Sequence, residues 1–197
     1  MNSFQIFILH PKCIYDLDIS YSCSIADPVT SSLILTGGYY SLESVSKYTE
    51  AGFEADLASL ITGRFWHGCG GFTTEAGGGQ VLVVTGGVRA DLTYLDSTEV
   101  LTSGLWREAG RLPVASMMTG LSLDNEVLMF GEFMFNDINS QFIANYLSTG
   151  GYDGQTHCSH ILRFDKQSES WRAAGNMREA RAQHVVTSLP YLMVSQY

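Results

Sequence analysis

The chain has 197 residues, with 20 acidic side chains against 11 basic ones, a net charge of −9 and an isoelectric point near 4.8. That excludes nucleic acid as the default partner, because phosphate backbones are bound by clustered Lys and Arg, and no such cluster exists here. A charged fraction of 16% beside 45% hydrophobic residues gives enough apolar material for a packed core and too little charge for a disordered chain.

Residues 1–30 form an atypical N-terminal segment. Phe4 to Leu9 is apolar, but no basic residue precedes it and His10, Pro11 and Lys12 end it at once, so it is read as neither a secretory signal nor a membrane span. Cys13, Cys23, Cys69 and Cys158 are too few and too scattered for a disulfide framework, and they favour a reducing, cytoplasmic setting.

From residue 33 the chain repeats itself. Leu33-Ile34-Leu35-Thr36-Gly37-Gly38 returns 49 positions later as Leu82-Val83-Val84-Thr85-Gly86-Gly87, and more weakly as Val127-Leu128-Met129-Phe130-Gly131. Arg64-Phe65-Trp66-His67 is echoed by Arg181-Ala182-Gln183-His184, and Trp106-Arg107-Glu108-Ala109-Gly110 by Trp171-Arg172-Ala173-Ala174-Gly175. Setting aside the 19 residues from Glu132 to Gly150 brings the tryptophan spacing from 65 to 46, joins Gly131 to Gly151, and fits every landmark to one period. The segment 132–150 is accordingly expected to be either a binding loop or sequence foreign to the repeat.

Each unit holds four short β-rich runs separated by turn residues. In the central unit they are Phe65–Phe72, Val81–Thr85, Thr98–Leu101 and Leu105–Glu108. A four-stranded unit cannot bury both of its faces alone, so neighbouring units must stack. The paired glycines mark places where a backbone turns sharply or lies against a neighbour.

Strand-Gly-Gly, a Trp about 20 residues later and Arg-x-x-His opening the next unit together resemble the kelch repeat, over residues 31–189, with 190–197 left as a tail. The resemblance implies an all-β fold of four-stranded antiparallel β-propeller blades. About three blades are counted, an incomplete or open propeller, since closed rings of this kind carry roughly 4 to 8. Gly37, Gly38, Gly86, Gly87, Gly131, Gly151, Trp106, Trp171, Arg64, His67, Arg181 and His184 are then the repeat-structural residues. In the first unit, Phe53 or Phe65 stands near the position expected for Trp.

The candidate chemistry is thin. His67 and His184 recur at one repeat position, which fits packing or hydrogen bonding in every unit better than catalysis, where a base is needed once. Trp66, Trp106 and Trp171 are read as core rather than as a stacking platform. His157-Cys158-Ser159-His160 lacks the second ligand pair a zinc site needs. No metal, cofactor or catalytic group is assigned. The expected function is that of a non-catalytic scaffold whose inter-strand loops bind a protein. Its contact residues are Arg89, Asp91, Tyr94, Tyr152 and Asp153, which combine charge with aromatic anchors. Kelch resemblance implies ubiquitin-ligase or actin-related partners. The alternatives are a fragment of a galactose-oxidase-like copper oxidase and a truncated, non-functional gene product.

Overall fold

The computed structural model describes residues 21–27, 30–74, 79–123, 125–132 and 160–178. These form three four-stranded antiparallel sheets. The first sheet holds β1 (Cys23–Asp27), β2 (Ser32–Thr36), β3 (Val45–Thr49) and β4 (Gly52–Asp56), in the order β1-β2-β3-β4. The second holds β5 (Gly68–Thr73), β6 (Gln80–Thr85), β7 (Thr98–Thr102) and β8 (Leu105–Glu108) in the same order. In the third, β9 (Met117–Leu123), β10 (Glu126–Glu132), β11 (His160–Asp165) and β12 (Ser170–Asn176) are again neighbours in sequence order. Among the described residues no helix is long and apolar enough to cross a membrane.

The first sheet starts earlier than the landmarks indicated. Cys23–Asp27 lies inside the segment read as atypical, yet it pairs with β2 along its whole length, from Cys23 opposite Thr36 to Asp27 opposite Ser32. It lacks a glycine pair or a tryptophan, and five residues of half-buried strand carry little signal of their own. β10 runs through Glu132, the first residue of the segment set aside, which pairs with Met117 of β9. The remainder of 132–150 lies outside the described residues.

Stacking is legible in β6, where every residue from Val81 to Thr85 is buried. With side chains alternating between faces, Leu82 and Val84 join Ile25, Ile34 and Val45 of the first sheet, and Leu60 of the connection after β4, in one core. Val81 and Val83 join Val127, Met129, Phe164 and Trp171 of the third in another. Leu, Val and Phe buried this way contribute roughly 1.5–3 kcal/mol each, so neither outer sheet keeps its core face without the middle one.

The first strands of adjacent sheets adjoin, β5 touching both β1 and β9. Glycine makes this approach possible. A Cβ on Gly120 would lie 2.0 Å from the Cys69 carbonyl oxygen, and one on Gly68 would lie 2.5 Å from Met129 Sδ. Cys23 of β1 and Cys69 of β5 are joined in a disulfide, with Cα atoms 6.0 Å apart. Scattered in sequence, these two cysteines occupy adjoining first strands, so the expectation that the cysteines stand apart is corrected for this pair.

Candidate functional site

The residues after the paired glycines and the residues leading into the next first strand meet at one end of the sheets. Gly37 and Gly86 have matching surroundings, with φ of +58° and +64°. An added Cβ would lie 2.3 Å from the Arg64 carbonyl oxygen at Gly37 and 2.4 Å from the Ser116 carbonyl oxygen at Gly86. The following glycines complete the joint: Gly38 N–H donates to the Arg64 carbonyl and Gly87 N–H to that of Ser116, at 3.1 and 2.8 Å. Each glycine pair therefore anchors the lead-in of the next sheet. Gly131 sits in β10 opposite Met118; Gly151 lies outside the described residues.

Arg64 is fully buried in this joint. Its guanidinium donates to the Gly86 and Ser97 carbonyls at 2.8 and 3.0 Å and to Glu99 Oε1 at 2.5 Å. Glu99, also buried, accepts the Ile61 and Thr62 backbone N–H groups. Burial pulls the Arg64 pKa down and Glu99 pulls it back up. His67 is buried between Gly37 and Gly87. Its Nε2 shares a 2.8 Å hydrogen bond with Thr36 Oγ1, while Nδ1 meets no partner among the described residues. Desolvation, with Arg64 nearby, lowers its pKa to about 3. The His67 side chain thus ties the second sheet's lead-in to the first sheet, while that of Arg64 ties the same lead-in to the second sheet. Arg181 and His184 lie outside the described residues.

The tryptophans at the shared position do the same. Trp171 is buried and its indole N–H donates to Thr98 Oγ1 of the second sheet at 2.8 Å. Trp106 is partly buried and donates to the Ala58 carbonyl beyond β4 at 2.7 Å. In both cases the indole reaches back to the preceding sheet. The equivalent residue of the first sheet is Phe53, which pairs with Tyr48 as Trp106 does with Leu101 and Trp171 with Phe164.

Trp66 is partly buried against the Phe65, Val88 and Met117 core, and it also borders an aromatic cluster. It stands at φ +53°, a left-handed conformation that costs a bulky residue of order 1–3 kcal/mol and is retained where the surroundings enforce it. Its backbone N–H donates to the Tyr21 carbonyl at 3.1 Å, and its own carbonyl accepts from Met118 N–H. The indole lies 4.7 Å from the Tyr21 ring and 4.8 Å from Phe65. Tyr39 packs edge-on against Phe65 and against Tyr40, with centroids 5.4 and 5.0 Å apart. Tyr21, Tyr39 and Tyr40 are 51, 50 and 67% exposed, so this cluster opens to solvent.

Beside it runs the β6–β7 loop that carries three of the expected contact residues. Arg89 and Asp91 are exposed. Arg89 N–H bonds the Thr93 carbonyl and Asp91 Oδ1 accepts Thr93 N–H, both at 3.0 Å, so the loop closes on itself. Hydrogen bonds from the Thr93 side chain and from its N–H hold the Asp91 carboxyl below its usual pKa. Tyr94 turns inward against Phe65, Val88 and Met117, and burial raises its pKa. It supports the surface more than it forms it. Val88 bridges Phe65 by reciprocal backbone hydrogen bonds, bringing the loop next to the aromatic cluster. Tyr152, Asp153, His157 and Cys158 lie outside the described residues; His160 opens β11 and shares a hydrogen bond with Asn176 at 3.0 Å. Among the described residues no group of three His, Cys, Asp or Glu side chains is placed to hold a metal.

Sequence reasoning missed Tyr21, Tyr39, Tyr40 and Trp66. The available signal was position, since Tyr39 and Tyr40 follow Gly37-Gly38 as Val88 and Arg89 follow Gly86-Gly87.

No family model matches the sequence, and no curated protein matches it. Among solved structures the chain is similar to YjhT, with a TM-score of 0.60 and 13% identity, over 82% of this chain and 53% of that one. At this identity the likeness concerns the fold alone, and the chain spans about half the length of YjhT.

Proposed function

We propose that the chain is a kelch-type β-propeller segment of about three blades that binds a protein partner through the end bearing the loops after its paired glycines, without catalysis. The repeated glycine joints, the first strands set side by side and the indoles reaching back to the preceding sheet support the architectural part of this reading. The observation that carries the binding part is the cluster of Tyr21, Tyr39 and Tyr40 around Trp66, half or more exposed, on a frame locked by Arg64 and His67 and flanked by Arg89. Rigid aromatic side chains beside an arginine are the residue types that dominate protein-binding energies, because they bury much area at low entropic cost.

The kelch resemblance points to ubiquitin-ligase or actin-related partners. The cytoplasmic setting expected from the scattered cysteines is opposed by the Cys23–Cys69 disulfide, because protein disulfides persist mainly in oxidising compartments. A non-reducing peptide map of protein taken from cells decides between the two.

The test compares partner capture by the full-length chain with capture by a Tyr39→Ala/Tyr40→Ala/Arg89→Ala variant whose far-ultraviolet dichroism and melting are unchanged. Loss of capture is expected, while equal capture by the folded variant overturns the choice of face. A wild-type chain that captures no protein overturns the binding reading itself.

A further inference from the structure

Tyr21, Tyr39 and Tyr40 offer more than ring area. Their hydroxyls, the Trp66 indole N–H and the Arg89 guanidinium make no hydrogen bond among the described residues. The one buried polar side-chain atom left unpaired among those residues is His67 Nδ1, so the Trp66 N–H opens to solvent. Indole and guanidinium can only donate, and a phenol donates readily. The patch is a set of free donors among ring faces, and it suits a partner rich in unpaired acceptors.

Charge narrows that partner further. A net charge of −9, with Asp91 exposed in the β6–β7 loop and Glu43 exposed three residues beyond Tyr40, opposes an acidic segment. The exposed Arg89 opposes a basic one, since like charges brought together at an interface are costly. A neutral segment full of carbonyl oxygens meets both conditions.

A proline-rich chain in the polyproline II conformation is such a segment. Its carbonyls are free because this helix has no internal hydrogen bonds, and proline brings no N–H to be left unpaired. Its rings dock on aromatic side chains, and its fixed φ leaves little entropy to lose on binding.

The rings are arranged to receive it. Tyr39 stands at 75° to Tyr21 and at 87° to Tyr40, with centroids 6.2 and 5.0 Å apart. Rings set nearly at right angles present faces that meet in a corner, and here two corners follow in series. Polyproline II advances about 3 Å per residue, so two residues span the step from one ring to the next. Tyr21 and Trp66, whose rings lie 4.7 Å apart, both hold left-handed backbones, at φ +64° and +53°. Strain of this kind clusters at ligand clamps, where the surroundings hold it in place before the ligand arrives.

We propose that Tyr21, Tyr39, Tyr40 and Trp66 bind a neutral proline-rich segment in the polyproline II conformation, whose carbonyls accept hydrogen bonds from Trp66, the tyrosines and Arg89. This names the chemistry of the partner and rests on the reading that a protein binds at this end.

The test titrates the full-length chain into fluorescein-labelled deca-proline and follows anisotropy, with a Gly-Ser decapeptide and deca-lysine as comparisons. Saturable binding of deca-proline, at least about tenfold tighter than either comparison, is expected. Tyr40→Ala removes an exposed ring and should weaken binding by about tenfold, the scale of losing an aromatic anchor. Trp66→Phe keeps a ring but loses the N–H, and should weaken it by about 2- to 10-fold, the scale of one hydrogen bond. Dichroism and melting show that each variant stays folded, and Tyr40→Ala alone decides if Trp66→Phe does not fold. Absence of saturation by about 1 mM, the weak end of the affinity scale, overturns the proposal. So does equal binding of the Gly-Ser peptide, tighter binding of deca-lysine, or a folded Tyr40→Ala variant that binds deca-proline unchanged. A chain that captures a protein through Tyr39, Tyr40 and Arg89 yet ignores deca-proline refutes this inference and leaves the protein-binding reading standing.

Discussion

Arg64 and Glu99 form an ion pair with side chains 0% and 1% exposed, and between them they bind backbone groups of the first-to-second connection and of the second sheet. Glu99 caps the Ile61 and Thr62 N–H groups while Arg64 satisfies the Gly86 and Ser97 carbonyls. Neither charge has water to fall back on once its partner is removed. Arg64→Ala or Glu99→Ala should therefore destabilise the fold by about 3–5 kcal/mol, the usual penalty for an orphaned buried charge, read as a lowered denaturant midpoint. An exposed pair such as Arg111–Asp96, at 2.6 Å and with the Arg111 side chain 64% exposed, should cost less than about 1 kcal/mol when broken.

His67 gives the fold an acid limit. Its ordinary pKa of 6.5 falls to about 3 in the folded state, first because burial disfavours the imidazolium and second because Arg64 is near. Above pH 6.5 the ring is neutral in both states and its contribution is complete. As pH falls from 6.5 toward 3 the unfolded chain takes up a proton that the folded chain refuses, so stability declines by up to about 1.4 kcal/mol per pH unit. Melting measured between pH 7 and 4 should show this slope in the native chain and a flatter one in His67→Gln. Equal slopes would show that other groups set the acid limit.

The Cys23–Cys69 disulfide closes a separation of 46 residues across two sheets. In the chain-entropy picture such a crosslink contributes about 4 kcal/mol by restricting the unfolded chain. Reduction, or Cys23→Ser, should lower the melting temperature, and a non-reducing digest should yield the peptide pair containing both cysteines. The two cysteines recovered in separate peptides would remove the crosslink from the native protein.

Gly120→Ala should destabilise the molecule strongly, because the new Cβ would meet three backbone atoms of Cys69, at 2.0, 2.6 and 2.7 Å. Backbone has no rotamer to yield, so the cost should reach the upper end of the 1–3 kcal/mol typical of overpacking. Gly104→Ala is the comparison: open space surrounds it, and only its φ of +82° is strained, a cost of roughly 1–2 kcal/mol. Urea midpoints rank the two, and Gly104→Ala as the worse variant would contradict the close approach of β5 and β9.

The strands of the second sheet were readable because each ends on a landmark: Thr85 on a glycine pair, Leu105–Glu108 around Trp106. The observed spans match the expected runs to within a few residues, the first strand beginning at Gly68 rather than Phe65 because Arg64 to His67 serve the joint. β1 escaped notice since Cys23–Asp27 has no such mark and acquires its meaning only by pairing with β2. The disulfide was hidden for a related reason, as a spacing of 46 becomes informative only once first strands are known to adjoin. Trp66 was grouped with Trp106 and Trp171 by residue type, although it holds a different place in the repeat. Its positive φ, which turns it toward Tyr21 and solvent, is fixed by backbone contacts that no spacing rule encodes.

His67 precedes the second sheet in the chain but rests on Thr36 and Gly37 of the first, whereas Arg64, three residues earlier, clasps Gly86 and Ser97 of the second. The hereditary module is consequently not the sheet. A gene duplication or engineered graft that breaks the chain ahead of residue 64 hands the newcomer a histidine without its threonine and glycine seat. Shuffled units can be exchanged cleanly only when donor and recipient share the same seat.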